Sequence, residues 1–301
     1  MLPRLMSFTV RCFDMPLALN QVTVSLSSHY NRMTHPEKHL EQLMIQTWEQ
    51  LKQQTPRLFN ASKFRLQNFS TSASDHHSLL KLHLGVTDYA SYVGTCCSSL
   101  TSQLLEDGDR LRGDRFAFLS RKVGVAAVVE TIDGHVVFIK RSKSVGLYQD
   151  LYDTPGGHPE PSNIQLTEDI LQTLEDSTRM QVEKAARQEF FQSIVNEVYE
   201  EVNVSPQLQQ PPKLLGVVLQ TDACTPSFSF HIKTECSAQE LKELYRIGPM
   251  DKFESVKLEL LAVESLLAEG STILEELQLT PSAKGTLGLW KQHTLRARQK
   301  P

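Results

Sequence analysis

Residues 196–204 of this 301-residue chain read Asn-Glu-Val-Tyr-Glu-Glu-Val-Asn-Val. The three carboxylates in this stretch, Glu197, Glu200 and Glu201, stand at i, i+3 and i+4, which places them on one face of a helix. Like charges held this close repel one another, so the helix either exposes them to water or presents them to a cation. Ligands that are all oxygen favour a hard ion such as Mg²⁺ or Mn²⁺. Two interpretations therefore remain open, a solvated helix face and a metal site.

A second stretch, upstream of the acidic helix, favours the metal site. Residues 153–160 read Asp-Thr-Pro-Gly-Gly-His-Pro-Glu, and a strand is expected shortly before them. Paired glycines permit a tight turn and a close approach of the backbone to a neighbouring group. We expect this turn to hold the acidic helix against a phosphate of a ligand.

Together the two stretches resemble the signature of the Nudix hydrolases, G-x5-E-x7-R-E-U-x-E-E-x-G-U, in which U is aliphatic. Gly157 matches the first glycine, and residues 196–204 match the second half with Asn196 and Asn203 in place of arginine and glycine. The two halves lie about 25 residues further apart than in the contiguous signature, which indicates an insertion at about residues 161–181. A search for the contiguous signature would miss this chain.

The resemblance implies an α/β fold, a Nudix α/β/α sandwich with a mixed sheet. Strand and helix patterns indicate the same architecture for residues 116–301, with a hairpin turn at Asp133-Gly134 and a long helix over residues 183–202. The patterns in the first 115 residues predict an N-terminal α+β domain, and the resemblance implies that this domain contributes to nucleotide binding.

Local signals set the elements of this N-terminal region. A capping box of Thr34 and Glu37 predicts a helix start, and residues 106–115, which are polar and contain glycines, predict the connection between the two domains. The expected strands are residues 7–13, 22–26, 63–69 and 79–86.

The resemblance also implies a division of labour among the acidic residues. Glu197 and Glu201 would bind Mg²⁺, with Mn²⁺ as a substitute, and Glu200 would be a third ligand or the base that activates the attacking water. His158 is the alternative imidazole base. Asn196 cannot make the salt bridge by which the family's arginine orients a glutamate.

Further matches resemble the Nudix subgroup that hydrolyses UDP-glucose and UDP-galactose to UMP and a hexose 1-phosphate. They are residues 58–66, 84–89, 141–142, 153–161, 197–203 and 281–285, spread in order over about 225 residues. The resemblance implies the substrate-binding residues Phe59, Tyr89, Arg141, Gly146, Asp153, His158, Glu160 and Ser282. Phe59 and Tyr89 would flank the uracil or ribose, and Arg141 would pair with the diphosphate. Without the resemblance, aromatic residues in such positions more often belong to a core or a strand end.

Composition limits the partners of the chain. Lys and Arg number 31 against 35 Asp and Glu, a net charge of −4, so no basic surplus is present to bind a nucleic acid. No apolar run reaches the ~18 residues of a membrane span. Five scattered cysteines argue against a disulfide framework, which favours reduced thiols in the cytosol or nucleus.

Two alternatives to the UDP-sugar hydrolase stay open on the sequence. One is a Nudix hydrolase of a different nucleoside diphosphate derivative. The other is a catalytically silent Nudix module that binds a nucleotide or a protein, an interpretation that the interrupted signature motivates.

Overall fold

The computed structural model describes residues 8–74, 77–143, 148–221, 224–248 and 255–299. The strands are β1 (Phe8–Leu17), β2 (Val22–Leu26), β3 (Ser62–Ser74), β4 (His77–Asp88), β5 (Gly124–Glu130), β6 (His135–Arg141), β7 (Tyr152–Asp153), β8 (Gly156–Gly157), β9 (Lys213–Gln220), β10 (Pro226–Lys233) and β11 (Ser255–Ala262). The helices are α1 (Lys38–Gln54), α2 (Tyr89–Cys96), α3 (Thr101–Arg112), α4 (Glu168–Gln172), α5 (Asp176–Val202), α6 (Ala238–Ile247), α7 (Val263–Leu267), α8 (Ile273–Glu276) and α9 (Pro281–Arg298).

The large sheet is mixed and has the strand order β1-β9-β10-β5-β6-β11. β10 runs parallel to β5, whereas β1 and β9, β9 and β10, and β6 and β11 are antiparallel. β5 and β6 pair at Glu130 and Val136, beside the predicted hairpin turn, where Gly134 has a φ of +75°. Away from the turn, β8 pairs with β5 and β7 pairs with β6. The glycine pair therefore lies in an opening between two central strands.

Helices cover both faces of this sheet. Val125 and Val129 of β5 belong to the core that α5 fills, whereas Val128, pointing the other way, belongs to the core that α7 and α9 fill. This alternation follows from the two-residue period of a strand that is buried on both faces. The predicted α/β/α sandwich with a mixed sheet is confirmed.

The N-terminal region contributes to both sheets. A second sheet, ordered β2-β4-β3, shares the core of α5 through Leu80, Leu82 and Leu84, whose alternation predicted a strand. β1 instead forms an edge of the large sheet beside β9. α1, α2 and α3 enclose a separate apolar cluster. A domain boundary at residue 115 stays a prediction.

The acidic helix begins earlier than the sequence predicted, at Asp176 rather than at Glu183. Its first turns are attached to the small sheet, because Arg179 Nη1 donates to the Leu26 carbonyl at 2.8 Å and Glu183 Oε1 accepts from the Leu26 amide at 2.9 Å. These long-range hydrogen bonds stabilise the first turns of the helix, a polar segment without the apolar periodicity from which a helix is predicted. The expected insertion thus contains a 3₁₀ turn (Pro161–Ile164), α4 and the start of α5.

Two local predictions were wrong. α1 begins at Lys38 without a side-chain cap, and Glu41 instead accepts from the His35 amide at 2.6 Å and pairs with Arg32 at 2.8 Å. The expected connection at 106–115 is largely helical, since α3 extends to Arg112 and ends at Gly113, which has a φ of +65°. In the described part of the chain, no helix has the length and apolarity needed to cross a membrane.

Candidate active site

A cavity of about 170 Å³ lies at the opening between β5 and β6. Described residues from seven parts of the chain line it: Tyr92 of α2, the start of β5, the end of β6, Tyr148, residues 153–158, the facing ends of β9 and β10, and the start of α9. Because these elements come from distant parts of the sequence, the tertiary fold rather than a local motif assembles the cavity.

The pair Gly156-Gly157 allows the backbone to approach both β5 and α5 closely at the cavity. A Cβ on Gly156 would meet the backbone of β5, with the Cα of Ala126 only 3.0 Å away. A Cβ on Gly157 would overlap the carboxylate of Glu197, whose Oε2 lies 2.6 Å from that position. Each glycine therefore permits a close contact that a Cβ would obstruct, as predicted from the sequence of the turn.

Carboxylates on one face of α5 accept hydrogen bonds from the backbone of residues 156–160. Glu201 Oε2 accepts from the Gly156 amide at 2.8 Å, and Glu197 Oε1 accepts from the His158 amide at 3.2 Å. Two turns earlier, Glu189 Oε1 accepts from the Glu160 amide at 3.0 Å. The amides of alternate residues in an extended segment point the same way, so one helix face satisfies all three. Charge-assisted bonds of this kind are stronger than neutral ones.

The three predicted catalytic carboxylates differ in environment. Glu201 is buried, with 3% of its surface exposed, and Glu197 is half-buried, whereas Glu200 is exposed. Sequence reasoning missed Glu189, which is 7% exposed and whose pKa is raised by burial. Its spacing of eight residues from Glu197, two helical turns, is the signal that could have found it.

The donor chemistry next to the glycine pair fits a divalent metal that the substrate helps to bind. Among the residues that the structure describes, no group of three or more His, Cys, Asp or Glu side chains converges into a metal site. Mg²⁺, however, is usually bound through one or two carboxylates, with waters and substrate phosphates completing the octahedron. Glu197 and Glu201, one turn apart on the face that contacts Gly156 and His158, are such a pair.

Cations surround the cavity. Burial lowers the pKa of Lys122 to about 7, and its ammonium contacts His158 Nε2. Desolvation, together with the charges of Lys122, Lys63 and Arg141, holds the pKa of His158 well below its usual value. His158 is thus a neutral imidazole at neutral pH.

Two ion pairs complete the electrostatics. Arg141 Nη1 lies 3.3 Å from Asp153 Oδ2, and Thr280 donates to Asp153 Oδ1 at 2.8 Å. Burial raises the pKa of Asp153, although Arg141 and Thr280 act in the opposite direction. Lys63 forms an ion pair with Glu160.

The structure brings together about half of the predicted substrate-binding residues. Those that line the cavity are Arg141, Asp153, His158 and Ser282. Glu160 lies beside it in its pair with Lys63. Phe59 and Tyr89 are not among its described lining residues: Phe59 is 75% exposed, and Tyr89 packs edge-on against Trp48 with ring centroids 5.9 Å apart. Gly146 lies outside the described residues.

Several cavity residues were not predicted from the sequence. Those with polar side chains include Tyr92, Lys122, Tyr148, Gln220, Thr225, Ser227 and Thr280. Lys122 follows Arg121 directly before a predicted strand, and a basic residue at a strand end is a weak signal, because such a residue usually points to solvent.

Comparison with known proteins gives this arrangement a family. No protein-family model matches the chain. The uridine diphosphate glucose pyrophosphatase NUDT22 of Mus musculus is 32% identical over 278 residues, which cover 92% of this chain and 87% of that protein. Nudix hydrolase 9 of Arabidopsis thaliana is 31% identical over 261 residues, covering 83% and 81%. Among solved structures, the MutT protein of Methanosarcina mazei Go1 matches 59% of this chain and 95% of its own at 13% identity, with a TM-score of 0.35.

The two relatives align with the chain far beyond the acidic helix. Their matched lengths of 278 and 261 residues are too long to lie within the C-terminal half, so the similarity includes the N-terminal region as well. The sequence resemblance is confirmed, and the chain belongs to the Nudix hydrolase family.

Proposed function

We propose that the chain hydrolyses the pyrophosphate bond of UDP-glucose and UDP-galactose, releasing UMP and a hexose 1-phosphate. The observation that carries the proposal is the set of bonds from Gly156 and His158 to Glu201 and Glu197, beside a cavity lined by Arg141 and Lys122. The long similarity to the mouse UDP-glucose pyrophosphatase supports the choice of substrate.

Glu197 and Glu201 are the proposed holders of Mg²⁺, or of Mn²⁺ in its place. A bound divalent ion neutralises phosphate oxygens and lowers the pKa of a coordinated water. The amides of Gly156 and His158 position the two carboxylates, so the turn and the helix act as one unit.

Two side chains are candidates for the base that takes the proton of the attacking water. Glu200 is exposed on the same helix. His158 is neutral and lines the cavity, but its Nε2 is engaged by Lys122. This engagement favours Glu200, because an imidazole nitrogen that already contacts an ammonium is a poor proton acceptor.

The cavity binds the polar part of the substrate in this proposal. Arg141 contacts the diphosphate through its planar guanidinium, while Asp153 and Ser282 contact the nucleoside or sugar. Phe59 and Tyr89 flank the uracil or ribose, and the exposed ring of Phe59 is free to pack on a base. Glu160 and Gly146 complete the proposed set.

Product analysis with UDP-glucose and Mg²⁺ tests the proposal. The wild type should release UMP and glucose 1-phosphate, and Glu201→Gln should bind UDP-glucose but release less than about 1% as much UMP. Glu269→Gln, which alters an exposed carboxylate elsewhere, is the matched control and should keep full activity.

Other outcomes identify the rival functions. A strong preference for an adenine nucleotide in a substrate panel would indicate a different Nudix substrate. Binding of UDP-glucose without release of any phosphate product would indicate a silent module. Near wild-type turnover by Glu201→Gln would contradict the role of that carboxylate.

We also propose a cytosolic or nuclear location. Cys12, Cys96 and Cys236 are free thiols, a state that reducing compartments maintain. Imaging of a tagged full-length chain tests this location, and a tag found in the secretory pathway would contradict it.

A further inference from the structure

Lys122 is a buried cation beside the cavity. The residue is 9% exposed, lines the cavity, and directs its ammonium towards His158 Nε2 and the ring of Tyr92, whose centroid lies 4.5 Å away. The charged and titratable groups that face it are Lys63, Arg141, His158, Tyr92, Cys96 and Cys97. Within the described ranges, Lys122 forms no ion pair with a carboxylate.

The two neighbouring cations differ from Lys122 in this respect. Lys63 is paired with Glu160, and Arg141 is paired with Asp153. A buried charge without a counter-charge is unfavourable unless the group becomes neutral or a partner arrives. The aromatic face of Tyr92 compensates only part of this cost. The environment of Lys122 is therefore incomplete in the free protein and suited to an incoming anion.

We propose that Lys122 binds the diphosphate group of the substrate and gains its proton together with that ligand. The nature of the ligand rests on the function proposed above. Lys122 and Arg141 line the same cavity, so a diphosphate there has a cation available for each of its phosphates. The role is one of binding and charge balance, distinct from that of the carboxylates on α5.

The free-state protonation supports this inference. The pKa of Lys122 is about 7, chiefly because burial disfavours its charged form. An adjacent diphosphate stabilises the ammonium and raises this pKa. The phosphates of a nucleoside diphosphate sugar are fully ionised above pH 6, so proton uptake on binding reports on the protein.

Titration calorimetry with UDP-glucose in the absence of divalent metal tests the assignment. Measurements in two buffers of different ionisation enthalpy, at pH 6.0 and 8.0, give the number of protons taken up. The wild type should take up close to one proton at pH 8.0 and far less at pH 6.0. Lys122→Met should abolish the uptake and weaken binding at least about tenfold at pH 6.0, in the range of a lost charge-assisted contact. Lys81→Met, an exposed strand lysine, is the matched control and should change neither.

A second variant keeps the test decisive if Lys122→Met fails to fold. Lys122→Arg carries a permanent charge, so it should bind UDP-glucose without proton uptake at either pH. Proton uptake by Lys122→Arg equal to that of the wild type would overturn the inference. Unchanged affinity and uptake in a folded Lys122→Met would do the same.

The outcomes also separate this inference from the proposed function. Proton-linked binding that depends on Lys122, in a protein that hydrolyses no UDP-sugar, would contradict the function and leave the lysine assignment intact. Hydrolysis of UDP-glucose with binding and proton uptake that do not depend on Lys122 would contradict the lysine assignment and leave the proposed function intact. A wild-type protein that binds neither UDP-glucose nor inorganic diphosphate would contradict both.

Discussion

Replacing Gly157 by alanine should separate the activity of this protein from its stability. The added methyl group would occupy the position of the Glu197 carboxylate, with Oε2 at 2.6 Å, closer than non-bonded atoms can approach. The backbone at Gly157 is fixed by its pairing with Val125 in β5, whereas the glutamate side chain ends in rotatable bonds. We therefore expect Glu197 to move and the strand to stay.

The cost of this movement follows from the bond that is lost. Glu197 would give up the hydrogen bond from the His158 amide, and a bond to a charged acceptor contributes about 1.5–3 kcal/mol. At about 2.1 cal/mol/K of unfolding entropy per residue, a chain of this length loses ~1.6 °C of Tm per kcal/mol. The expected decrease in Tm is thus only ~2–5 °C. Activity should fall more steeply, since disturbing even the outer partners of a metal site costs about 10–100-fold.

The assay is UMP release from UDP-glucose with Mg²⁺, together with calorimetric Tm values. Gly288→Ala is the matched control, because that exposed glycine lies inside α9 and its added Cβ would meet nothing within 4 Å. Alanine is favoured over glycine in a helix by about 0.5–1 kcal/mol, so this variant should be slightly more stable and fully active. Gly156→Ala, whose Cβ would press on the backbone of β5 instead, should lose more stability than Gly157→Ala. Full turnover in Gly157→Ala, or a larger loss of Tm there than in Gly156→Ala, would refute the reasoning.

Three further predictions concern other residues. The folded-state pKa of Lys122, about 7, lies below its ordinary value of 10.5. At a pH between these two values unfolding takes up a proton, so the free energy of unfolding should rise as the pH increases from 7 to 10. Urea titrations should show a smaller slope with pH in Lys122→Met. Arg65 is 1% exposed and donates to the carbonyls of Tyr30, Phe116 and Leu119 at 2.6–2.8 Å. Arg65→Met should therefore lower the free energy of unfolding by at least about 3 kcal/mol. An unchanged urea midpoint would contradict this prediction. Glu200→Gln should reduce kcat by about 10²–10⁴-fold without a change in Tm if Glu200 is the base; full kcat would return that role to His158.

The parts of the fold that could be predicted from the sequence are those set by periodicity. Val125, Val128 and Val129 alternate between two buried faces of β5, the strand that leads into the predicted hairpin turn at Asp133-Gly134. Glu197 and Glu201 share a helix face because four residues make about one turn. Both inferences need only the local geometry of the chain, so both were confirmed.

Glycine was a less reliable signal of local structure than periodicity. Gly108 contributed to the expectation of a connection at 106–115, yet it lies inside α3. A Cβ there would meet the carbonyl oxygen of Asp114 at 2.6 Å, so this glycine permits close packing of helix and loop rather than a turn. The sequence does not distinguish the two uses, because each needs only the missing side chain.

The cavity residues were hidden for a different reason. Lys122 and Glu189 obtain their roles from residues 36 and 29 positions away, His158 and Glu160. No local pattern encodes such contacts, and a lysine beside a strand or a glutamate on a helix is normally solvent-exposed. Their burial is a consequence of topology, which places the segment after β8 against both the start of β5 and one face of α5.

The same topology explains how an interrupted signature can keep its geometry. The two halves of the Nudix signature meet through backbone amides of Gly156 and His158 and carboxylates of α5, and none of these contacts uses a residue of the insertion. Lengthening the loop between the halves costs little, because closure entropy grows only with the logarithm of loop length. Part of that cost is offset where the inserted segment contacts the Leu26 carbonyl through Arg179. The insertion therefore extends the acidic helix to the small sheet of the N-terminal region, which is predicted to contribute to nucleotide binding.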